Sequence, residues 1–398
     1  MKEPVALSEN IYWVGVNDYE TQLFEGLWPM PRGISYNSYL IVDDKVALID
    51  AVKQFFLPDL MEKIGQILPA GKSIDYLIIN HMEPDHTGSL KLFPQLFPQM
   101  TIVGNKKTAG FLESYYGLTE PVTVVEEGDV LDLGRHKLTF YITPMIHWPE
   151  TMMTHETTSN VLFTGDAFGG FGALEGGIFD DQIRADYFEY ETLRYFANVI
   201  GKFSPMVQKA ISRLKDMDIG TIAAAHGPVW RRNPGHIIGQ YDRWSSHQTE
   251  PGAVVVYGSM YGNTQRMAET VARGLAAAGV QDIRLHPAST SHLSYILADA
   301  WRFKGLVLAS CTYDSRLFPP LRLLVDFLSP KGVSQNRVLG ILGSYGWAGG
   351  AVKEMQDFAS QGDWNVVEPV VQVKGGPTRD TLEQCFELGK NLAAAIKA

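Results

Sequence analysis

The densest chemistry in this 398-residue chain is one hexapeptide, His81-Met82-Glu83-Pro84-Asp85-His86. Four of its six residues can ligate a metal. They follow directly on Tyr76-Leu77-Ile78-Ile79-Asn80, the end of an Ile74 to Asn80 run that reads as a short buried strand. A loop at a strand mouth cannot bury that much charge and imidazole without compensation, and a bound cation provides it. Three later positions repeat the placement. His147 follows the run from Leu138 to Thr143, Asp166 follows Val161-Leu162-Phe163-Thr164-Gly165, and His226 follows Thr221-Ile222-Ala223-Ala224-Ala225. In a layered α/β architecture such strand ends converge on one rim. A lone His or Asp after a strand is ordinarily a turn or cap residue, which is how His136, His155, His236 and His247 read.

The donor count sets the number of ions. Four His (His81, His86, His147, His226) and three carboxylates (Glu83, Asp85, Asp166) are more than one ion with an open position needs, and they suit two ions. Asp166 comes from a separate strand between the two sets and is the natural bridge. Mixed imidazole and carboxylate at open sites suits non-haem iron. Ligand type alone leaves zinc and manganese open.

A second chemistry lies beyond residue 250. Tyr257-Gly258-Ser259-Met260-Tyr261-Gly262-Asn263-Thr264 joins a strand to a helix, so small residues, hydroxyls and backbone N–H groups converge where the helix is partially positive. The loop holds no Lys or Arg. It fits an uncharged cradle for a phosphate monoester, not the Gly-Lys-[Ser/Thr] loop of nucleotide hydrolases. Two more loops leave the same edge: Ser310-Cys311-Thr312-Tyr313-Asp314 and Ser344-Tyr345-Gly346-Trp347-Ala348-Gly349-Gly350. Each offers an aromatic ring and pliable backbone, suited to a flat isoalloxazine at the switch point of a doubly wound sheet.

The elements that must position these loops fall into two halves. In the first, Asn37 to Val42 and Lys45 to Asp50 read as a strand pair around Asp43-Asp44, and Leu57 to Ile67 has a helical period. A polar stretch, Gln248-Thr249-Glu250-Pro251-Gly252, reads as the linker, giving domains 1–250 and 252–398. Beyond it strands and helices alternate. The strands are Ala253–Tyr257, Asp282–His286, Gly305–Ser310, Val338–Gly343 and Asn365–Glu368, the last stopped by Pro369. The helices are Thr264–Ala278, Ser291–Trp301, Pro320–Leu328, Ala351–Ser360 and Arg379–Lys397. Such alternation makes a parallel, doubly wound sheet.

Composition narrows the class. Net charge of −10 argues against nucleic acid. No apolar run reaches the length of a membrane helix and no secretory h-region follows the N-terminus, so a cytoplasmic protein is expected. Cys311 and Cys385 are the only cysteines, so redox chemistry must rest on a flavin or on a metal held by His and carboxylate.

The form His81-x-Glu83-x-Asp85-His86, with His147-Trp148-Pro149, Asp166-Ala167-Phe168-Gly169 and His226-Gly227, resembles the flavodiiron proteins, and the second half resembles flavodoxin. The resemblance spans the chain. It implies a metallo-β-lactamase-like αββα sandwich followed by a flavodoxin-like FMN domain. One iron would sit on His81, Glu83 and His147, and the other on Asp85, His86 and His226, with Asp166 bridging. It further implies reduction of O2 to water or NO to N2O, a rubredoxin or its reductase as separate electron donor, and a head-to-tail homodimer or a dimer of dimers. Tyr195 is an outer proton donor on the family's pattern alone. Some members carry His where this chain has Phe24-Glu25-Gly26, which bears on gas preference. The competing reading is a two-zinc hydrolase fused to an electron-transfer module; Glu83 stands where a hydrolase would prefer His.

Overall fold

The computed structural model describes residues 3–398. The chain divides into two compact units, Met1–Asp242 and Arg243–Ala398.

In the first unit, alternate residues of short strands turn inward, as the two-residue period of a strand requires. Ile11 and Trp13, Tyr39 and Ile41, Ala47 and Ile49 come from one seven-stranded sheet; Leu138 and Phe140, Val161 and Phe163 come from a five-stranded one. The two sheets share a single core, so this half is a β-sandwich, and with its flanking helices the αββα layering expected. The strand pair around Asp43-Asp44 is antiparallel, Tyr39–Val42 on Val46–Ile49. The sheet then continues in parallel through Tyr76–Ile78, Thr101–Gly104 and Val122–Val124. In the second sheet Val161–Phe163 runs parallel to Thr221–Ala223. The hexapeptide, Asp166 and His226 follow the C-terminal ends of Tyr76–Ile78, Val161–Phe163 and Thr221–Ala223, and His147 follows the antiparallel strand Lys137–Ile142. Leu57–Ile67 is helical as its period predicts. The strand Met152–Glu156 is not evident from sequence, because every residue in it is buried and no alternation marks it.

The second unit is a parallel sheet in the order Asp282–Pro287, Glu250–Gly258, Phe303–Tyr313, Val338–Tyr345, Asn365–Val366. This is the 2-1-3-4-5 order of flavodoxin-like sheets. The stretch read as a linker is partly strand: Glu250 already pairs with Phe303, and a register shift between Glu250 and Ala253 accommodates Pro251. The edge strand also differs. Pro369 does interrupt it, but the ladder resumes at Val371–Lys374, parallel to Val338–Tyr345. Helices Asn263–Ala277 and Arg379–Lys397 pack backbone to backbone at Gly274 and Gly389. A side chain on either would run into the opposite main chain.

Four histidines read as ordinary structural residues have that kind of role, though not as caps. His136 is buried against Glu156, His155 lies in a strand, His236 pairs with Glu189 at the surface, and His247 packs on Trp301.

Candidate metal centre and flavin crevice

The hexapeptide is shaped by hydrogen bonds that leave its ligating atoms free. Asn80 N–H and Nδ2 both donate to the Asp50 carboxylate, at 2.8 and 3.0 Å, and Thr154 Oγ1 donates to Asn80 Oδ1. Pro84 opens a one-turn helix, Pro84–Thr87, a position where its missing N–H costs nothing. That turn carries Asp85 and His86 inward. Asp166 is delivered by Gly165, whose φ of +58° suits glycine. His226 precedes Gly227, also left-handed, whose N–H donates to Ser35 Oγ.

All seven candidates come together, in two groups. His81, Glu83, His147 and Asp166 form one; Asp85, His86 and His226 form the other. Asp166 faces both with different oxygens. Oδ2 lies 3.3 Å from His81 Nε2 and 3.0 Å from His147 Nε2, while Oδ1 lies 3.2 Å from His86 Nε2 and 3.6 Å from His226 Nε2. Glu83 Oε2 is 3.2 Å from His81 Nε2 and 2.9 Å from His147 Nε2. Asp85 Oδ2 is 3.2 Å from His226 Nε2 and 3.4 Å from His86 Nε2.

These atoms satisfy one another only in part: Glu83 Oε2 is hydrogen-bonded with His81 and His147, and Asp166 Oδ1 with His86. Both oxygens of buried Asp85 and Oδ2 of Asp166 make no hydrogen bond. Buried carboxylate oxygens left this way are costly unless something else binds them. The donor set therefore fits two cations with a shared carboxylate. Its charge state agrees. Burial opposes protonation of His81, but Asp166, Glu150 and Glu83 outweigh it and hold the imidazole well above its ordinary range. Burial likewise opposes His86 and His147, yet nearby carboxylates raise each to about 9. Burial works against ionised Glu83, but His147 and His81 bring it down to about 2. Protons thus stand where cations would otherwise neutralise the carboxylates.

The outer contacts were not visible in the sequence. Glu150 is buried, and its Oε1 accepts from Met82 N–H at 2.8 Å and lies 3.0 Å from His81 Nδ1. His226 Nδ1 lies 2.8 Å from the Ser35 carbonyl. Donation from Nδ1 in each ring fixes the tautomer that presents an Nε2 lone pair inward. Tyr36 packs edge-on to His226 and His86, at centroid distances of 5.7 and 6.4 Å. Tyr195 is fully buried, 5.6 Å from the His226 ring, with a hydroxyl that makes no hydrogen bond. Glu25, on the early loop, has a left-handed backbone (φ +52°) and accepts from Trp28 Nε1 at 2.9 Å. Burial and the charge of Glu83 push its carboxyl up, against the pull of His147.

In the second unit the three predicted loops enclose one cavity of about 400 Å³. Ser259, Met260, Tyr261, Asn263 and Thr264 line it from the first loop, and Cys311, Thr312, Tyr313 and Asp314 from the second. Ser344, Tyr345, Gly346 and Trp347 line it from the third. Tyr261 and Trp347 are 91 % and 92 % exposed. Thr264 Oγ1 and Ser344 Oγ hydrogen-bond at 2.9 Å, tying two loops together. Four predicted contacts do not line the cavity. Ser310 is buried behind it, its Oγ donating to Cys311 O and accepting from Phe318 N–H. Gly262, Gly349 and Gly350 shape the loops instead; the Cβ position of Gly350 is filled by the Ser315 carbonyl. Ser315 and Gly375 line the cavity and were missed, Gly375 because it follows the strand segment beyond Pro369.

Comparison with known proteins gives both halves a family. Residues 34–227 match the ODP family beta lactamase and residues 255–389 match flavodoxin. The nitric oxide reductase of Moorella thermoacetica is 34% identical, with all of both chains covered. The anaerobic nitric oxide reductase flavorubredoxin of Escherichia coli is 33% identical over 98% of this chain and 82% of its own. The solved rubredoxin oxygen:oxidoreductase of Desulfovibrio gigas superposes with a TM-score of 0.94 at 28% identity, covering 99% of this chain and 98% of that one. The flavodiiron protein of Giardia intestinalis superposes equally well, with the same identity over 99% and 97%.

Proposed function

We propose that this chain, which belongs to the flavodiiron proteins, reduces O2 to water or NO to N2O at a pair of irons, with electrons relayed by FMN. The observation that carries the reading is Asp166, one oxygen turned to each of two donor groups inside a site where both oxygens of buried Asp85 lack partners. His81, Glu83 and His147 would hold one iron and Asp85, His86 and His226 the other, with Asp166 shared. Bound there, the irons supply open positions for a diatomic gas and the electrons to reduce it; FMN, in the crevice of the second unit, supplies electrons one at a time.

The chain's own residues do the rest. Glu150 and Ser35 orient two of the imidazoles. Glu83 adds negative charge where an imidazole would be neutral, favouring the ferric state. Phe24, Phe171 and Tyr195 wall the His226 side with rings, so little water competes for the open positions. Tyr195, its ring 5.6 Å from His226 and its hydroxyl unpartnered, is the proposed outer proton donor; unchanged turnover in Tyr195→Phe would remove it from the scheme. The two-zinc hydrolase is not favoured, because relatives spanning the whole chain are reductases.

Two exposed apolar sets support a head-to-tail homodimer. Leu23, Leu27 and Phe55 are exposed in the first unit; Met260, Tyr261, Tyr313 and Trp347 line the crevice in the second. Sedimentation showing a fully active monomer would overturn it. Relatives named flavorubredoxin and rubredoxin oxygen:oxidoreductase support a rubredoxin-type electron donor. Among the described residues no helix is long and apolar enough to cross a membrane, in keeping with a cytoplasmic setting. The reading is tested by metal and flavin analysis with anaerobic gas consumption. Two irons and one FMN per chain, with O2 or NO consumed when reduced rubredoxin is supplied, are expected; two zincs without gas uptake would refute it.

A further inference from the structure

Trp148 has no task in the reaction just described, yet it touches the centre closely. Its indole stands edge-to-face on the His81 ring, at 5.2 Å and 86°, and on the His147 ring, at 6.4 Å and 83°. Its other ring neighbours are Phe111 at 5.6 Å and Tyr115 at 5.9 Å. Tyr115 is 47% exposed. Behind it Tyr116 lies 6.1 Å away, its hydroxyl hydrogen-bonded to Thr87 Oγ1 at 2.6 Å. A string of close rings thus runs from two metal-binding imidazoles to the surface, and two of its redox-active members, Trp148 and Tyr115, are adjacent.

Tryptophan and tyrosine are the side chains that most readily lose one electron while keeping their covalent frame. Neither accepts an electron at the potentials where a flavin works. The string therefore conducts in one sense only: electrons inward from the surface, oxidising equivalents outward. The surroundings give that sense a purpose. Met82, between His81 and Glu83 in the chain, Met152, whose N–H donates to the Asn80 carbonyl, and its neighbour Met153 are all buried. Oxidation to the sulfoxide would put a polar group into packed core.

We propose that Trp148 and Tyr115 drain oxidising equivalents from the metal pair when electrons from the flavin run short, sparing the ligand histidines and the buried methionines. Trp148 gives one electron to the centre. Tyr115 then gives one electron to the oxidised indole and its phenolic proton to solvent. A thiol at the surface returns a hydrogen atom to the tyrosyl radical, and two such thiols end as a disulfide. The inference rests on the metal-centre reading, but not on which gas is the substrate, because peroxide can supply the oxidant directly.

The test uses the full chain loaded with iron and oxidised to the ferric state, so that peroxide's two oxidising equivalents are not spent on ferrous iron, as wild type, Trp148→Phe, Tyr115→Phe and a Tyr12→Phe control, with iron content measured first. Stoichiometric hydrogen peroxide is added without reductant. Freeze-quench electron paramagnetic resonance looks for an aromatic radical, assigned by ring-deuterated tyrosine. Peptide mass spectrometry counts sulfoxide at Met82, Met152 and Met153 and oxidised imidazole at His81 and His147. The expected result is a tyrosyl signal in wild type and control that is lost in both string variants, with ligand and methionine oxidation rising several-fold. The same radical and the same damage in all four proteins would overturn the proposal. Should Trp148→Phe bind iron poorly, the surface variant Tyr115→Phe decides alone. A wild type that takes up no iron would instead refute the metal-centre reading before peroxide is added.

Discussion

Glu150 offers the sharpest test of how this centre is built. One of its oxygens accepts from Met82 N–H and faces His81 Nδ1 at 3.0 Å, while the other makes no hydrogen bond. Replacing it with Gln keeps an acceptor oxygen of the same reach, so both contacts can persist, but the negative charge behind His81 is gone. Partners of this kind are worth about 10–100-fold in metal affinity. Because the Gln variant loses charge and keeps geometry, the lower figure applies, about tenfold or 1.4 kcal/mol. Glu150→Ala also frees the His81 ring and leaves Met82 N–H buried without an acceptor. Its loss should approach about 100-fold, with a further ~1–3 kcal/mol taken from folding stability. The assay is competition for iron against a coloured chelator, read beside thermal melting. The charge has a second readout: Glu150→Gln should raise the midpoint potential of the iron pair, since an anion near the centre favours the ferric state. Glu150→Gln and Glu150→Ala proteins that hold iron as tightly as wild type, at an unchanged potential, would refute the reasoning.

Three other outcomes follow from the structure. His86 and His147 titrate near 9 in the metal-free chain, above the 6.5 of a free imidazole, because carboxylates surround them. Their stabilising contribution is complete below pH 6.5 and is lost as pH rises through 9, so the chelator-stripped protein should melt progressively lower across that window while the iron-loaded protein does not. Lys63 is buried on the Trp13 ring with its ammonium donating to the Gly15 carbonyl, and burial lowers it to about 8 from 10.5. A depressed base penalises folding fully below pH 8, so wild type should gain stability relative to Lys63→Met as pH rises from 8 to 10.5 in urea titrations. Gly350→Ala would push a methyl into the Ser315 carbonyl and separate two walls of the crevice, so FMN affinity by fluorescence quenching should fall about tenfold or more with little change in secondary structure.

What could be read from the sequence was whatever is encoded locally. The hexapeptide, the three strand-end ligands and the flavin loops each combine a residue type with an adjacent strand or helix, and the structure brings all seven candidate ligands into the two expected groups. What could not be read depends on chain segments meeting from far away. Glu150 is 69 residues from His81 and Ser35 is 191 residues from His226. Nothing in the local pattern distinguishes Glu150 from any acidic residue after a proline. Gly375 was lost for a different reason. Pro369 forbids a ladder hydrogen bond, and reading it as the end of the strand ignored that an edge can resume once the proline is passed.

The outer carboxylates also explain why this site belongs to a metal that changes charge. Glu83, Asp85 and Asp166 face the ions directly, and Glu150 and Asp50 stand just behind, against His81 and Asn80. Fully ionised, these five carboxylates carry a charge that falls between that of a ferrous pair and that of a ferric pair. Burial costs free energy in proportion to uncompensated charge. A balance struck between the two states leaves neither strongly penalised, so electrons can enter and leave without large rearrangement of the protein. A dizinc centre never visits the higher charge, and for it Glu150 would be an excess anion in a buried site. Burial also pushes Asp50 up toward its neutral form, so it can serve as the adjustable member of the set. On this view Glu150→Gln and Asp50→Asn should both raise the potential of the irons while leaving a zinc-loaded centre nearly as stable as wild type. Equal losses of iron and zinc would mean that these residues shape the loop and do not set its charge.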